Sequence, residues 1–146
     1  VVLRGGAQVV DGGGELVVGG ACVAAPDDEV DAALLGALLA AERLALRLEK
    51  LRRQIRKAEG KPVALGILSG YRCPAYNRKV HGAVMSQHIQ GTAADLAIPK
   101  GKQTLYFRCA EKVKAFKRGG IGIYPNGGLH VDGRGWLARW NSYVGQ

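Results

Sequence analysis

The chain has 146 residues, a length that suits one domain, and its 47% of apolar residues can bury an ordinary core, which argues against a disordered chain. The formal net charge of +9 favours polyanionic partners, but it does not choose among nucleic acid, anionic lipid and bacterial wall polymers. No run of 18 apolar residues is present, so we expect no transmembrane helix, and no signal peptide is visible.

The first 60 residues predict a short hairpin followed by a long helix. Valine-rich runs on either side of residues 11–14, Asp-Gly-Gly-Gly, favour two short paired strands. Pro26 and the acidic residues after it open a helix whose apolar stripe continues until Gly60 ends it. A helix of about 30 residues is roughly 45 Å long, so we expect it to break near Gly36, to bend or to project from the domain.

The rest of the chain predicts short strands interspersed with helices. The predicted elements are a strand over 63–68, a helical turn or two over 74–80, a strand over 93–98, a helix over 102–118, and a hairpin of strands 121–124 and 129–132 around a Pro-Asn-Gly-Gly turn. We therefore divide the single domain into an N-terminal segment, 1–61, packed on or projecting from the core, and a core formed by 62–146.

Two short segments each place a histidine near an aspartate. His88 and Asp95 are seven residues apart, with Gly91 available for a tight turn between them, and His130 precedes Asp132 by two residues. If the strands that carry Asp95 and His130 are neighbours in one sheet, about 4.8 Å separates them. Histidine and aspartate suit zinc, and three protein ligands with an open fourth position are typical of a hydrolytic zinc site. Unrelated surface or core roles are the alternative.

Four motifs occur in one order over residues 62–140, a little over half of the chain. They are Ser69-Gly-Tyr-Arg-Cys-Pro-Ala-Tyr-Asn77, Ser86-x-His-x-x-Gly-x-Ala-x-Asp95, Gly122-Ile-Tyr-Pro125 and His130-Val-Asp132. In these motifs the chain resembles the zinc D-Ala-D-Ala peptidase family, and specifically its branch with a short C-terminal His-x-Asp motif. The resemblance implies an α+β fold in which a small antiparallel sheet carries the zinc site and packs against helices, as in the related hedgehog signalling fold.

The resemblance also implies a function and a set of site residues. Members of this family cleave D-amino-acid-containing peptides of bacterial cell walls, as carboxypeptidases or endopeptidases, and many are phage-encoded. Matched by position, His88, Asp95 and His130 would bind Zn²⁺. Arg72 would support the scissile carbonyl, and Ser86 would line the substrate site, where it more plausibly buttresses the loop than reacts. The expected partner is the peptide of bacterial peptidoglycan, with the polyanionic wall as a further candidate, and the expected location is secreted, periplasmic or phage-encoded.

One position departs from the family pattern. Some branches carry a carboxylate general base three residues before the second zinc histidine, and that position is Gly127 here. Asp132 is the remaining carboxylate of the motif. It would either accept a proton as water attacks, or orient the metal site by holding a metal ligand in place without binding the metal itself.

Several alternatives stay open at this stage. Arg72 could form only a structural salt bridge, and His81 is best interpreted as a loop histidine. The glycine at 127 keeps open a zinc-containing binding module that recognises wall peptide or protein without turnover. Nucleic-acid binding is disfavoured, because the aromatic residues (6%) do not interleave with the basic runs. The three cysteines do not indicate a disulfide framework, although one bridge is possible, and the oligomeric state is left undetermined.

Overall fold

A computed structural model describes residues 7–8, 17–18 and 32–141 of the chain. Its elements are β1 (Ala7–Gln8), β2 (Val17–Val18), α1 (Ala32–Glu59), β3 (Gly66–Ser69), α2 (Pro74–Lys79), β4 (Ala93–Ala97), α3 (Gln103–Glu111), α4 (Lys114–Lys117), β5 (Gly120–Ile123), β6 (Leu129–Asp132) and β7 (Ala138–Asn141). β1 and β2 pair antiparallel, as the hairpin prediction requires. The α+β fold class is confirmed.

β3 to β7 form one five-stranded sheet in the order β3-β4-β6-β5-β7. The pairs β3–β4, β4–β6 and β5–β6 are antiparallel, and β5–β6 is the predicted hairpin. The sheet differs from the expected antiparallel one at a single edge, where β7 pairs parallel to β5. The reason is that the chain leaves β6, passes across the end of the hairpin and joins β5 on its outer side. The sheet is therefore mixed.

α1 packs against α3, and α3 packs against β5 and β6 of the sheet. Leu44, Leu48, Leu51 and Ile55 recur at helical spacing and are buried. They pack with side chains of α3, α4 and the sheet into one core, whose largest fully buried members from these elements are Phe116, Leu96, Ile121, Leu129 and Val131. α1 runs unbroken through Gly36, and it ends before Gly60, whose N–H donates to the Arg56 carbonyl at 3.0 Å.

The leucines off that stripe lack cover from the described residues. Leu35, Leu39 and Leu46 are exposed to 49%, 50% and 68%, so the described part of the chain leaves these three side chains open. The expected helix start at Pro26 lies outside the described residues. The division into an N-terminal segment and a core therefore stays a prediction.

The expected helix over 102–118 is two helices. α3 ends at Glu111, and α4 begins at Lys114 after the extended residue Val113, whose side chain is buried in the core. Val113 and Phe116 are both buried, and the N–H groups of Phe116 and Lys117 donate to the Val113 carbonyl at 2.9 and 2.8 Å, which begins α4.

None of the helices in the described part of the chain has the length and apolar character that crossing a membrane requires.

Cys73 is disulfide-bonded, whereas Cys109 is a buried free thiol whose pKa is raised by burial. Cys22 lies outside the described residues.

Candidate metal centre

His88, Asp95 and His130 meet at one place on the sheet. Asp95 on β4 and His130 on β6 are direct register partners, so the predicted adjacency of their strands is confirmed. One ligand atom from each of the three residues lies within 4.8 Å of the other two. All three side chains are buried. The arrangement is compact enough for a single ion.

His88 reaches the cluster from the loop before β4. Gly91 adopts a φ of 69°, in the left-handed region that favours glycine, and its N–H donates to the His88 carbonyl at 3.2 Å. The Thr92 hydroxyl donates to the Gln87 side-chain oxygen at 2.9 Å, which fastens the two ends of the loop. The Ser86 hydroxyl accepts the backbone N–H of His88 at 3.2 Å. The turn predicted at Gly91 is therefore present, and Ser86 supports the loop.

The hydrogen bonds of His88 leave one ring nitrogen as a ligand atom. Its Nδ1 lies 2.7 Å from the carbonyl oxygen of Gly70, which can only accept, so Nδ1 carries the proton. In the neutral ring Nε2 then carries the lone pair, and this nitrogen lies 3.2 Å from Asp95 Oδ2. This buried Nε2 has no hydrogen-bond partner among the described residues. Leaving a buried acceptor unpaired costs about 1–3 kcal/mol, a cost that a bound cation would remove.

The two nitrogens of His130 face two different carboxylates. Nδ1 lies 2.8 Å from Asp95 Oδ1, and Nε2 lies 2.9 Å from Asp132 Oδ2. Burial alone lowers the pKa of His130, but the hydrogen bonds to Asp132 and Asp95 outweigh it and raise the pKa. Burial raises the pKa of Asp95, yet the contacts with His130 and His88 bring it well below its usual range. Asp95 is thus a carboxylate at neutral pH.

Asp132 lies behind His130, with both of its oxygens occupied. Oδ1 accepts the backbone N–H groups of Gly120 and Arg134, each at 3.0 Å, and Oδ2 accepts Arg134 Nη2 at 2.6 Å and the His130 ring. The side chain is fully buried. Burial raises the pKa of Asp132, but the hydrogen bonds from His130 and Arg134 more than offset it and hold the pKa well below its usual range. These contacts favour the orienting role over the role of base.

β5 makes room for this arrangement through its alternating sequence Gly-Ile-Gly-Ile. The isoleucines face the core, and the glycines face the site. A Cβ on Gly120 would come within 2.1 Å of Asp132 Oδ2, and a Cβ on Gly122 within 1.9 Å of Trp140 Cε2. The Trp140 ring thereby reaches His130, with ring centroids 5.0 Å apart. Both glycines are needed for space beside His130.

Arg72 and Tyr124 bind Asp95 from two sides. Arg72 Nη2 donates to Asp95 Oδ2 at 2.7 Å, and its Nε donates to Ser69 Oγ at 2.8 Å. The Tyr124 hydroxyl donates to Asp95 Oδ1 at 3.0 Å and lies 3.3 Å from His130 Nδ1. Burial and the Asp95 charge raise the pKa of Tyr124, which keeps its hydroxyl protonated as a donor. The salt-bridge role considered for Arg72 is therefore present.

A cleft of about 350 Å³ opens over the cluster. It is lined by Arg72, Gly82, Ala83, Met85, Ser86, Gln87, His88, Tyr124, His130, Arg134, Trp136 and Trp140. No carboxylate is among these lining residues. Gly127, at the position where some branches carry the general base, lies in the turn after β5 with a φ of 86°. This glycine serves the turn and has no side chain that could act as a base. His81 is exposed and does not line the cleft.

Three residues of the site have no role predicted from sequence: Tyr124, which lies in one of the four motifs, and Arg134 and Trp140, which lie outside them. Arg134 follows Asp132 at i+2, which is a spacing that places both on one face of an extended segment. Trp140 had no comparable signal, because its contact with His130 depends on the parallel strand β7.

The residues of the cluster fit zinc. Two histidines and a carboxylate form a donor set that zinc accepts with one position left open. The unpaired Nε2 of His88 faces this set, and each histidine has its other nitrogen held by an oxygen, as is usual for metal-bound histidines.

Comparison with known proteins agrees with this geometry. Residues 25–132, well over half of the chain, match the family described as Peptidase M15. No curated protein matches the chain. The chain therefore belongs to the Peptidase M15 family, a family of zinc-dependent metallopeptidases.

Proposed function

We propose that this M15 peptidase hydrolyses D-amino-acid-containing peptide bonds of bacterial peptidoglycan, as a D,D-carboxypeptidase or endopeptidase. Family membership and the His88–Asp95–His130 cluster support zinc peptidase activity. The substrate is inferred from the four motifs shared with D-Ala-D-Ala peptidases. The observation that carries the proposal is the buried, unpaired Nε2 of His88, which faces a carboxylate and a second histidine beneath an open cleft.

His88 Nε2, an oxygen of Asp95 and His130 Nδ1 would hold the ion. A zinc ion bound there supplies Lewis-acid polarisation of a carbonyl and lowers the pKa of water towards about 7. Asp132 fixes the orientation of His130 through Nε2 and makes that ring a stronger ligand. Tyr124 restrains Asp95 Oδ1 from the side of the cleft.

Arg72 is suited to hold an anionic oxygen at the reacting bond. It lines the cleft, and with Nε on Ser69 and Nη2 on Asp95, its Nη1 has no hydrogen-bond partner among the described residues. Guanidinium stays charged and donates in fixed directions, so it can stabilise charge that develops on a carbonyl oxygen. Its backbone N–H donates to the His88 carbonyl at 3.0 Å, which fixes the distance of Arg72 from the ligand loop.

One observation favours a second candidate, a zinc-containing module that binds wall peptide without turnover. Gly127 occupies the position of the missing base, and Asp132 has both oxygens occupied, so no described residue presents a free carboxylate to the cleft. Under this alternative the same residues would bind zinc and peptide, but no bond would break.

Digestion of purified peptidoglycan and of a peptide ending in D-Ala-D-Ala, with product identification, separates the two candidates. If the protein is an enzyme, we expect cleavage that chelation abolishes and that zinc restores. A peptide ending in L-Ala-L-Ala is the stereochemical control and should not be cleaved. One equivalent of bound zinc in folded protein, with no cleavage of any wall peptide, would leave the binding module. On either candidate we place the protein where peptidoglycan is, secreted, periplasmic or phage-delivered.

A further inference from the structure

A second, strongly basic cleft lies where α1 ends and the chain turns towards β3. It has a volume of about 460 Å³, and its lining consists of Arg53, Arg56, Lys57, Gly60, Lys61 and Pro62. Its cationic side chains all belong to exposed residues, and no acidic residue lines it. The metal centre does not use any of these groups.

Most of this charge is uncompensated. Arg53 pairs with Glu49, with 3.0 Å between Nε and Oε1. Arg56, Lys57 and Lys61 form no ion pair with any other residue of the described part of the chain. The helix dipole accounts for cations in the last turn of α1, but it does not account for Lys61, which lies beyond the helix end.

We propose that this basic cleft binds a linear phosphodiester polymer through its phosphate groups. From Arg53 to Glu59 α1 rises about 9 Å at about 1.5 Å per residue, and Lys61 extends the cationic row further. That length matches more than one successive phosphate of an extended chain. The concave shape lets cations approach the polymer from two sides, which a flat helix face would not allow.

The chemistry of the lining separates this ligand from nucleic acid. Binding of single-stranded nucleic acid gains affinity from bases stacked on aromatic side chains, and the basic cleft has no aromatic lining residue. Phosphate charge is therefore the feature that it can recognise. The residues of the basic cleft precede β3 in the chain and lie near the end of β3 that begins at Gly66. The metal centre lies at the other end of β3, where Ser69 pairs with Asp95. A polymer could occupy it while the other cleft holds peptide.

Fluorescence anisotropy with labelled poly(glycerol phosphate) tests this proposal. With about three phosphates neutralised, the logarithm of affinity should fall with a slope near −2 against the logarithm of salt, or about 16-fold between 50 and 200 mM. The triple variant Arg56→Gln/Lys57→Gln/Lys61→Gln should bind at least about tenfold more weakly and lose most of the salt slope.

The matched control is Lys112→Gln/Lys114→Gln/Lys117→Gln, which removes the same charge from exposed positions elsewhere. The proposal requires the control to keep wild-type affinity within about twofold. Equal weakening by the two variants, or no measurable binding by wild type, would overturn it. Tighter binding of single-stranded DNA with the same number of phosphates would also overturn it, because bases would then contribute. Since chelated protein should bind equally well, this outcome is independent of the metal centre and of the proposed peptidase activity.

Discussion

Replacing Asp132 by Asn distinguishes the two roles that the motif left open. Both oxygens of Asp132 accept hydrogen bonds, but an amide has only one acceptor oxygen. In the variant, either the His130 ring or the backbone N–H groups of Gly120 and Arg134 must face an NH₂ group. The orientation of His130 should loosen, because its partner on Nε2 is lost or weakened.

The expected magnitude follows from that role. Loss of a partner that orients a metal-bound histidine costs about 10–100-fold in metal affinity, which is about 1.4–2.7 kcal/mol. A competition titration of Asp132→Asn with a chromogenic zinc chelator measures it. With zinc at saturation, activity should largely return. Arg134→Gln removes the clamp on Asp132 together with the cation–π contacts to Trp136 and Trp140, and it should weaken zinc binding in the same direction and by less.

A general base would behave differently. Its loss lowers the rate by about 10²–10⁴-fold at saturating zinc, without changing zinc affinity. Wild-type zinc affinity in folded Asp132→Asn, together with a rate loss of that size, would refute the orienting role and return Asp132 to the reaction itself.

Three further predictions follow from the same contacts. Tyr124→Phe keeps the ring and removes the hydroxyl on Asp95, so zinc affinity should fall by up to about tenfold, measured by the same titration. Gly122→Ala should displace Trp140, which would lower the thermal midpoint and change tryptophan fluorescence. In chelated protein, Asp95 and Asp132 have lowered pKa values, so their stabilisation is present above the unfolded pKa of about 4 and is lost as pH falls below it; urea titrations across this range should show it.

Each of these has an outcome that contradicts it. Unchanged zinc affinity in Tyr124→Phe would remove the hydroxyl from the support of Asp95. Gly36→Ala is the control for the glycine variant, since Gly36 is helical and has open space around it, and it should stabilise by about 0.5–1 kcal/mol. Equal behaviour of the two alanine variants would contradict the packing argument. A urea midpoint for chelated protein that does not change between pH 5 and pH 3 would contradict the acid-stability argument.

The parts of the site that depend on local pattern could be predicted from sequence. The turn at Gly91 and the hairpin before His130 have short-range signals, and together they place Asp95 opposite His130. Strand register then brings the cluster together, because a period of two fixes which side chains share a face.

The parts of the fold and of the site that depend on tertiary packing could not be predicted from sequence. β7 is only four residues long, and nothing in its sequence indicates a parallel pairing with β5 that places Trp140 against Gly122. The break between α3 and α4 has no signal in the helical periodicity over 102–118, because that periodicity places Val113 and Phe116 on one face of an unbroken helix as well.

Zinc titration combined with X-ray absorption tests the central claim most directly, that His88, Asp95 and His130 form one zinc site. We predict one tightly bound zinc per chain with two imidazole nitrogens and a carboxylate oxygen as protein ligands, and loss of that zinc in folded His88→Ala/His130→Ala. Failure of the wild type to bind zinc, or full retention of zinc by the double variant, would contradict it.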